Sequence, residues 1–487
     1  MNSPEKKVNI SLFEAFLPIV VLVILLAYNV FYVYKDNSLG GSNQFVLLIG
    51  AAIAAMVGIR RKVSLELMAD TIYNNIKSTS GAILILLMVG ALSGTWLLSG
   101  IIPSMIYYGM KILTPSIFLF ASVVICALVS LAIGSSWTTS ATIGIALVGI
   151  GSALGIPQGL IGGAIISGGY FGDKMSPMSD TTSLTSAVAG TDIFTHIRYM
   201  IFTTLPSILL TLLIFLIIGF TIDTHGISDT HIIEEGIKSQ FHITPLVFLA
   251  PCIVLFMIYK KVNPLASMFC GIILGVLTAL IFQRDLLLTL TNSDSYQFRE
   301  LYQLIMDTIT VSTHIPTDIP VLATLFSSAG MAGMLNTIWL IICAMTFGGV
   351  MEAIGALEKI TSFLLHLFTS IFGLFASTVA SCLALNITTS DQYLSLVVPG
   401  KMFAEAYRRK GLAPENLSRT LEDAGTVTSV LVPWNTCAAY NSSVLGIPTL
   451  SYLPYAFFNI ISPFMTLIFA LFNIKIRKII HNETDEK

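Results

Sequence analysis

Long apolar runs recur along the whole chain, and they constrain the fold more than any other feature of the sequence. The run 15–34 lies between Glu14 and Lys35 and contains no charged residue. A helix needs about 20 mostly apolar residues to cross the hydrocarbon core of a bilayer. Further runs occupy residues 43–58, 81–101, 114–133, 199–220, 245–259, 262–282, 335–351, 371–385 and 452–474. The chain is therefore predicted to be an all-α polytopic membrane protein that sits in the lipid bilayer. Two shorter glycine-rich stretches, 142–154 and 159–169, fit thin spans or half-helices, so the number of spans stays open.

The composition excludes several classes of protein. Of the 487 residues, 55% are hydrophobic and 11% charged, with a mean hydropathy of +0.84, so the chain cannot present an ordinary polar surface to water. The net charge of -2 gives no sign of the basic patch that a nucleic-acid partner requires. The six cysteines lack the spacing of a disulfide framework or a zinc site. No GxxxxGK[ST], HExxH or GxGD motif is present, so we predict neither an ATP-driven pump nor a protease, and no cofactor.

The positive charges indicate how the spans are oriented. Cytoplasmic segments of membrane proteins carry an excess of Lys and Arg. Four segments are rich in them, namely residues 6–7, 60–62, 408–410 and 475–478, so both termini are predicted to be cytoplasmic. The connector 223–242 holds one lysine against four acidic residues, and 284–320 is also poor in positive charge. Both are predicted to be external. The first apolar run is interpreted as a span, since no cleavage pattern of small residues follows it.

Two copies of one arrangement are predicted along the chain. With an external connector and two cytoplasmic termini, each half crosses the membrane an odd number of times, which is the arithmetic of inverted-topology repeats. The halves also share motifs: Thr138 matches Thr388 at a separation of 250 residues, whereas the positions of Pro177 and Gly190 recur 256 residues later. The predicted units are a first transmembrane repeat (1–222), an external connector (223–243), a second transmembrane repeat (244–475) and a cytoplasmic tail (476–487).

Each half also contains a Thr-Thr pair and then a polar break. The breaks are residues 176–182 and 433–436, and both contain proline. Proline and clustered Ser, Thr and Asp weaken a helix, and broken backbone at membrane depth is tolerated where it lines a watery cavity. Paired breaks in corresponding positions point to the binding site of a transporter. Hydroxyls and carbonyls beside a carboxylate suit Na⁺, and Asp180 is the first choice for a carboxylate that takes up a proton when the Na⁺ leaves.

Three stretches resemble the signature motifs of the NhaC family of sodium/proton antiporters. They are SGGYFGDKMSPMSDTTSLTSAVAGTDIFTHIRYM from Ser167, MLNTIWLIICAMTFGGVME from Met334 and LEDAGTVTSVLVPWNTCAAY from Leu421. The resemblance implies a secondary antiporter with inverted repeats, broken helices or re-entrant hairpins, a transport domain that moves against a scaffold, and a homodimer. The positions that match these motifs include Asp173, Asp180, Thr181, Thr182, Glu422, Asp423, Asn435 and Thr436. Relatives of the family also exchange or co-transport organic solutes, so the alternative function is a Na⁺-coupled transporter of organic acids or amino acids, of malate/lactate type.

Several of these residues have a structural alternative. Asp180 could cap a helix that starts near Thr181, since Asp is a favoured N-cap residue. Asp173 and Lys174 could form an interfacial pair near the cytoplasm. Asp391 competes with Asp180 as the titrating carboxylate. The remaining acidic candidates are predicted to line a gate or pathway. They are Glu352, which could instead mark a helix end, and Glu422 and Asp423, which could instead form a solvated helix start.

The sequence thus predicts a secondary active sodium/proton antiporter in a bacterial plasma membrane. Cytoplasmic Na⁺ binds between the two broken elements, the loaded domain moves, and external protons displace the Na⁺. The predicted sodium site comprises Asp180, Thr181 and Asn435. The other predicted ligands or coupling residues are Asp173, Thr182, Thr138, Thr139, Thr388, Thr389, Asp391 and Thr436.

Overall fold

The computed structural model describes residues 10–34, 40–222, 230–291, 297–366 and 370–479. Within these ranges the chain is almost wholly helical. Four sequence-based expectations fall at least partly outside the described residues. They are the positive pair 6–7, the start of the connector (223–229), part of the external segment 284–320 (292–296) and the end of the predicted cytoplasmic tail (480–487).

The described part of the first half, up to residue 222, forms ten α-helices. They are α1 (Leu12–Tyr28), α2 (Ser42–Arg60), α3 (Leu65–Leu98), α4 (Ile101–Ile112), α5 (Pro115–Ile133), α6 (Ser136–Thr139), α7 (Ile145–Ala153), α8 (Gln158–Met175), α9 (Asp180–Ala189) and α10 (Ile193–Thr221). Two single-turn stretches of π-helix, the form with i→i+5 hydrogen bonds, extend this series. Asn29–Val33 continues α1, and Ser140–Gly144 joins α6 to α7.

The described part of the second half forms fourteen α-helices and one short hairpin. The helices are α11 (Thr230–Gln240), α12 (Leu249–Tyr259), α13 (Pro264–Phe282), α14 (Arg284–Thr291), α15 (Phe298–Thr310), α16 (Pro320–Leu325), α17 (Leu335–Ala353), α18 (Ala356–His366), α19 (Ile371–Thr388), α20 (Gln392–Arg409), α21 (Pro414–Leu421), α22 (Thr436–Leu445), α23 (Thr449–Tyr452) and α24 (Phe457–Leu471). In the hairpin, β1 (Thr313–His314) pairs with β2 (Ser327–Ser328) in antiparallel register. A π-helical stretch, Glu422–Thr426, follows α21. Turns of 3₁₀-helix are Pro245–Phe248, Ala332–Met334, Ser429–Leu431 and Leu453–Tyr455.

Seven helices of the described chain are long and apolar enough to cross a membrane. They are α2, α3, α5, α10, α13, α19, and α17 together with the turn before it. Two bent pairs of helices raise the number to nine if each pair forms one span. In the first pair, α11 meets the 3₁₀ turn 245–248 and α12 at an angle of 82°. In the second, α23 and the 3₁₀ turn after it meet α24 at 51°. The multi-pass, all-helical architecture predicted from the apolar runs is therefore confirmed.

The helix boundaries follow local sequence signals. Ser11 begins α1 with a capping box, in which its hydroxyl accepts from the Glu14 N–H and its own N–H donates to the Glu14 carboxylate. Asp192 caps α10 by accepting from the Thr195 N–H at 2.9 Å. This hydrogen bond lowers the pKa of the Asp192 carboxyl, which lies just outside the helix. The start of α10 therefore keeps a negative charge, which suits the positive end of the helix dipole.

The helices pack in two groups. In the first, α17 contacts both α2 and α3, and α3 contacts α13. In the second, α5 packs along α8 and α10, and α24 contacts α8, α10 and α19. The short helix α22 contacts α17 in the first group and the π-helical stretch 140–144 beside the second. The interrupted segments therefore lie where the two groups meet.

Glycines allow α5 and α8 to approach closely. A Cβ added to Gly168 would lie 2.3 Å from the main-chain oxygen of Val123, and one added to Gly172 would lie 2.4 Å from that of Ala127. Helices come this near only where small residues face the partner. The glycine-rich stretch 159–169, predicted as a thin span or a half-helix, is the greater part of α8.

Local backbone features recur 256 residues apart. Three left-handed positions of the first half have left-handed counterparts in the second half, in the pairs Gly134 and Ser390, Gly155 and Gly411, and Gly190 and Gly446. The helices α9 and α22 begin and end at matching positions, and each is ten residues long. The order of interruptions is thus the same in both halves.

The Thr-Thr pairs do not occupy matching positions. Thr138 lies in α6, after the interruption at Gly134, whereas Thr388 ends α19, before the interruption at Ser390. The predicted pairing of Thr138 with Thr388 is therefore wrong. The matching positions are Ser135 and Asp391, each of which accepts a main-chain N–H at the start of the next helix.

We predict that Gly168→Ala destabilises the protein, because its methyl group would meet main-chain atoms of α5 that cannot move aside. Overpacking of this kind costs about 1–3 kcal/mol. Gly81→Ala is the matched control, since Gly81 also lies inside a helix and an added Cβ there meets nothing within 4 Å. Thermal unfolding in detergent, followed by tryptophan fluorescence, should lower the unfolding temperature of the Gly168 variant alone. Equal unfolding temperatures would contradict the close approach of α5 and α8.

Candidate functional site

The interruptions of both halves meet at one cavity of about 530 Å³. The first residues of α9, α20 and α22 and the cap of α6 lie in its wall. The N–H groups at the start of a helix favour negative charge, so this wall suits carboxylates. Of the residues predicted for the site, those that line the cavity are Thr138, Asp173, Asp180, Thr181, Asp391 and Thr436.

Asp173 forms hydrogen bonds to both sides of the helix interruption in the first half. It lies near the end of α8 and is 7% exposed. Its Oδ2 accepts from the N–H of Ser136 at 3.0 Å and from the Ser136 hydroxyl at 2.7 Å, and its Oδ1 accepts from the Ser179 hydroxyl at 2.6 Å. Asp173 therefore joins the start of α6 to the segment that leads into α9. The predicted interfacial pair with Lys174 does not form, because Lys174 has a different partner.

Asp391 begins α20 as its N-cap. Its Oδ1 accepts from the Leu394 N–H at 2.9 Å, and the side chain is 5% exposed. The preceding Ser390 has a φ of 59°, which a residue with a side chain rarely adopts. The main-chain oxygen of Ser390 accepts from the Thr436 N–H at 2.9 Å. This strained turn therefore fixes Asp391 beside the start of α22.

Asp180 is the exposed carboxylate of the cavity. It is the first residue of α9, and its side chain makes no hydrogen bond within the described chain. Ser179, and not Asp180, holds the cap position, so the alternative that Asp180 caps the helix is wrong. The Thr181 hydroxyl lies 3.0 Å from that of Ser179. Tyr393, which also lines the cavity, is in electrostatic range of Asp180, Asp391 and Asp173.

The other predicted ligands already have partners in the protein. Asn435 caps α22: its Oδ1 accepts from the Cys437 N–H at 3.0 Å, and its Nδ2 donates to the main-chain oxygen of Asn386 at 3.2 Å. Hydroxyl groups that donate to main-chain oxygens are those of Thr139, Thr182, Thr388 and Thr389. The structure thus brings part of the predicted ligand set to the cavity and uses the rest to hold the interrupted backbone.

A second polar cluster lies behind α9. Lys174 forms an ion pair with Asp423, and both side chains are fully buried. Asp423 also accepts from the Thr203 hydroxyl at 2.8 Å. Glu422 is fully buried beside Thr185. The alternative of a solvated helix start at Glu422 and Asp423 is therefore wrong.

Glu352 lies apart from this site. It is half-buried in α17, where its Oε2 accepts from Asn75 of α3 at 3.3 Å. It is not among the residues that line the cavity. The structure therefore leaves Glu352 at the contact between α3 and α17.

A second cavity of about 410 Å³ lies at the opposite ends of α3 and α22. Ser78 to Ile85 of α3 face the first cavity, and Val89 to Leu97 face the second. On α22, Tyr440 lies between Thr436, which lines the first cavity, and Ser443, which lines the second. Its ring stacks on that of Trp137, with centroids 4.2 Å apart. The Tyr440 hydroxyl donates to the main-chain oxygen of Trp137 at 3.2 Å. We refer to this pair as the aromatic barrier.

Sequence reasoning missed the residues that support the carboxylates. Ser136 and Ser179 bind Asp173, and Lys174 is paired with a residue 249 positions away. The only sequence signal for Lys174 was a positive charge at the end of an apolar stretch, and a charge at membrane depth usually has a partner. Small hydroxyl residues gave no comparable signal, because serines occur throughout the chain.

A conventional metal centre is not indicated. The described residues contain no group of three or more His, Cys, Asp or Glu side chains that could hold a metal ion. Hydroxyl and carbonyl oxygens of the kind found around the cavity suit a weakly held cation that must leave again.

Comparisons with known proteins identify relatives of this chain. A model of the Na⁺/H⁺ antiporter family matches residues 168–474. The chain is 35% identical to the Na(+)/H(+) antiporter NhaC of Alkalihalophilus pseudofirmus, over 89% of this chain and 90% of that protein. It is 35% identical to NhaC of Bacillus subtilis, over 82% and 85% of the two chains. It is 33% identical to the malate-2H(+)/Na(+)-lactate antiporter of Bacillus subtilis, over 88% of each. The chain therefore belongs to the Na⁺/H⁺ antiporter family.

Proposed function

We propose that the protein is a secondary active antiporter that exports Na⁺ in exchange for H⁺ by alternating access. The observation that carries this proposal is the cavity at which interrupted helices of both halves present three carboxylates together with hydroxyl groups. Ionisable groups at membrane depth mark ion pathways. The two NhaC relatives, which are named as Na⁺/H⁺ antiporters, support the same ions as cargo.

Competition for one carboxylate would couple the two ions. In this proposal Na⁺ binds at Asp180 with oxygens of Thr181 and Thr138, which line the same cavity. Protonation of Asp180 removes the charge that holds the cation, so Na⁺ and H⁺ exclude each other. Asp391 is the second candidate for this role. Asn435, as the cap of α22, contributes by fixing the wall of the cavity.

Alternating access is supported by the second cavity. The two cavities share no lining residue, and Tyr440 of the aromatic barrier lies on α22 between residues that line one cavity and residues that line the other. The first cavity reaches Lys261 in the turn between α12 and α13. Since Lys and Arg concentrate on the cytoplasmic side, we infer that this cavity faces the cytoplasm.

We also propose that the two halves, 1–222 and 244–475, are inverted repeats joined by an external connector, with cytoplasmic termini. Three left-handed backbone positions of the first half recur 256 residues later in the second half, and α9 and α22 have the same length. Both observations support this proposal. The contacts of α17 with α2 and of α3 with α13 are those that a twofold relation between the halves would interchange. The homodimer implied by the family resemblance is part of the proposal, and mass measurement of the solubilised protein tests it.

The alternative cargo is a small organic anion or amino acid together with Na⁺. A cavity of about 530 Å³ is within the range of small-molecule sites and is far larger than a bare Na⁺ needs. The similarity to a malate-2H(+)/Na(+)-lactate antiporter fits this alternative.

The first prediction concerns the cargo. In liposomes that contain the purified protein and a trapped pH dye, we expect Na⁺ alone to drive proton movement. Empty liposomes are the control. If Na⁺ is without effect until malate, lactate or an amino acid is supplied, the alternative function is correct.

The second prediction concerns the carboxylates. Asp180→Asn should abolish Na⁺/H⁺ exchange without lowering the unfolding temperature, because the Asp180 side chain has no hydrogen bond to lose. Glu405→Gln is the control, since Glu405 is partly exposed near the end of α20, where it pairs with Arg408 and Arg409. If Asp180→Asn exchanges like the wild type, Asp180 is not the coupling residue. Asp391→Asn then becomes decisive, because Asn also serves as an N-cap and keeps the fold intact.

The third prediction concerns topology. Single cysteines replace Lys62, Lys261 or Lys238 in a background without the six native cysteines. Those at positions 62 and 261 should react with a membrane-impermeant maleimide only from the cytoplasmic side, and the one at 238 only from outside. Labelling of positions 62 and 261 from opposite sides would refute the proposed orientation.

A further inference from the structure

Glu422 is a buried carboxyl group outside the cation cavity. It is the first residue of the π-helical stretch 422–426, and its side chain is inaccessible to solvent. Its Oε1 lies 2.7 Å from Oγ1 of Thr185 on α9. Its Oε2 has no hydrogen-bond partner among the described residues. Apart from the nearby Thr426 hydroxyl, which also has no hydrogen-bond partner among the described residues, nothing next to this oxygen would stabilise an ionised group.

Within the described chain, no positively charged side chain forms an ion pair with Glu422. Lys174 is the positive group that acts on it through space, but the ammonium group of Lys174 is paired with Asp423. The other ionisable groups that face Glu422 are Asp173 on α8, Cys382 on α19 and the adjacent Asp423. A buried carboxylate without its own counter-ion is costly and tends to take up a proton.

The hydrogen bonds of Thr185 give a second, geometric reason for a neutral Glu422. The Thr185 Oγ1 lies 2.6 Å from the main-chain oxygen of Thr181 and 2.7 Å from Glu422 Oε1. A hydroxyl group has one proton to donate, and a carbonyl oxygen can only accept. If Thr185 donates to Thr181, the short contact with Glu422 is a hydrogen bond only when the carboxyl group is protonated and donates to Thr185.

We propose that Glu422 is a second proton-binding site, which carries a proton during exchange in addition to the one that competes with Na⁺ in the cavity. This inference rests on the proposed antiport function. Thr185 lies one helical turn along α9 from Thr181, which lines the cavity, so the two sites are one turn apart. Because Glu422 is buried, release requires the surrounding helices to move and admit water; the O–H bond of Glu422 then breaks and the proton passes to that water.

The proton-to-sodium ratio tests this proposal. In liposomes whose membrane potential is clamped at zero, the ratio is obtained from the pH gradient at which a given Na⁺ gradient drives no net flux. Glu422→Gln keeps the size and the hydrogen bonding of a neutral carboxyl group but cannot release a proton. We expect it to exchange with fewer protons per Na⁺ than the wild type, while the control Glu405→Gln keeps the wild-type ratio. An unchanged ratio in Glu422→Gln overturns the proposal, as does complete loss of exchange in a folded variant.

Thr185→Val provides an independent test that needs no change at Glu422. If Glu422 donates to Thr185, removing the hydroxyl destabilises the protonated form, and half-maximal exchange moves to lower pH by about one unit. If Thr185 instead donates to an ionised Glu422, the shift is toward higher pH, and the proposal fails. This variant also decides the matter if Glu422→Gln does not fold.

The two proposals fail in different ways. If the wild-type protein shows no proton movement driven by Na⁺, the proposed function itself is wrong. If the wild type exchanges the ions and Glu422→Gln retains its proton-to-sodium ratio, only the second proton site is wrong.

Discussion

The architecture depends on satisfying the main-chain groups that the helix interruptions set free. Inside a bilayer an unpaired N–H or carbonyl group costs several kcal/mol, so broken helices need partners from within the protein. In this chain the partners are polar side chains at the interruptions, of which Asp173 and Asp391 also line the cavity. The N–H of Ser136 is taken by Asp173, that of Leu394 by Asp391 and that of Cys437 by Asn435. The same residues that make the breaks tolerable thus supply the polar character of the site.

This double use explains which parts of the structure were predictable from the sequence. Apolar runs and helix caps act locally, so the spans and the positions of the breaks followed from them. The register between the halves was only partly correct: the separation of 256 residues at Gly190 matches the structure, but the Thr138 alignment does not. Threonine pairs are common in helices, whereas a left-handed backbone position is a rarer and more specific marker.

The pairing of buried charges was not predictable, because it depends on packing between distant segments. Lys174 and Asp423 lie on different halves of the chain and meet only after α8 has packed near the π-helical stretch 422–426. Asp180 was correctly placed at a break, but its exposure could not be inferred from its neighbours. Asn435 looked like a ligand, since an amide oxygen suits Na⁺, yet it serves as a helix cap.

The proposed separation of the two cavities by Trp137 and Tyr440 has an electrical consequence. Aqueous cavities on both sides of Trp137 and Tyr440 would carry the potential of the adjoining solutions inward, so most of the transmembrane voltage would fall across this one layer of rings. Moving one elementary charge through 100 mV is worth about 2.3 kcal/mol. A displacement of only one side-chain layer would then couple an ion to nearly the full membrane potential. A voltage dependence of transport would therefore report on the barrier and not on the long path through the bilayer.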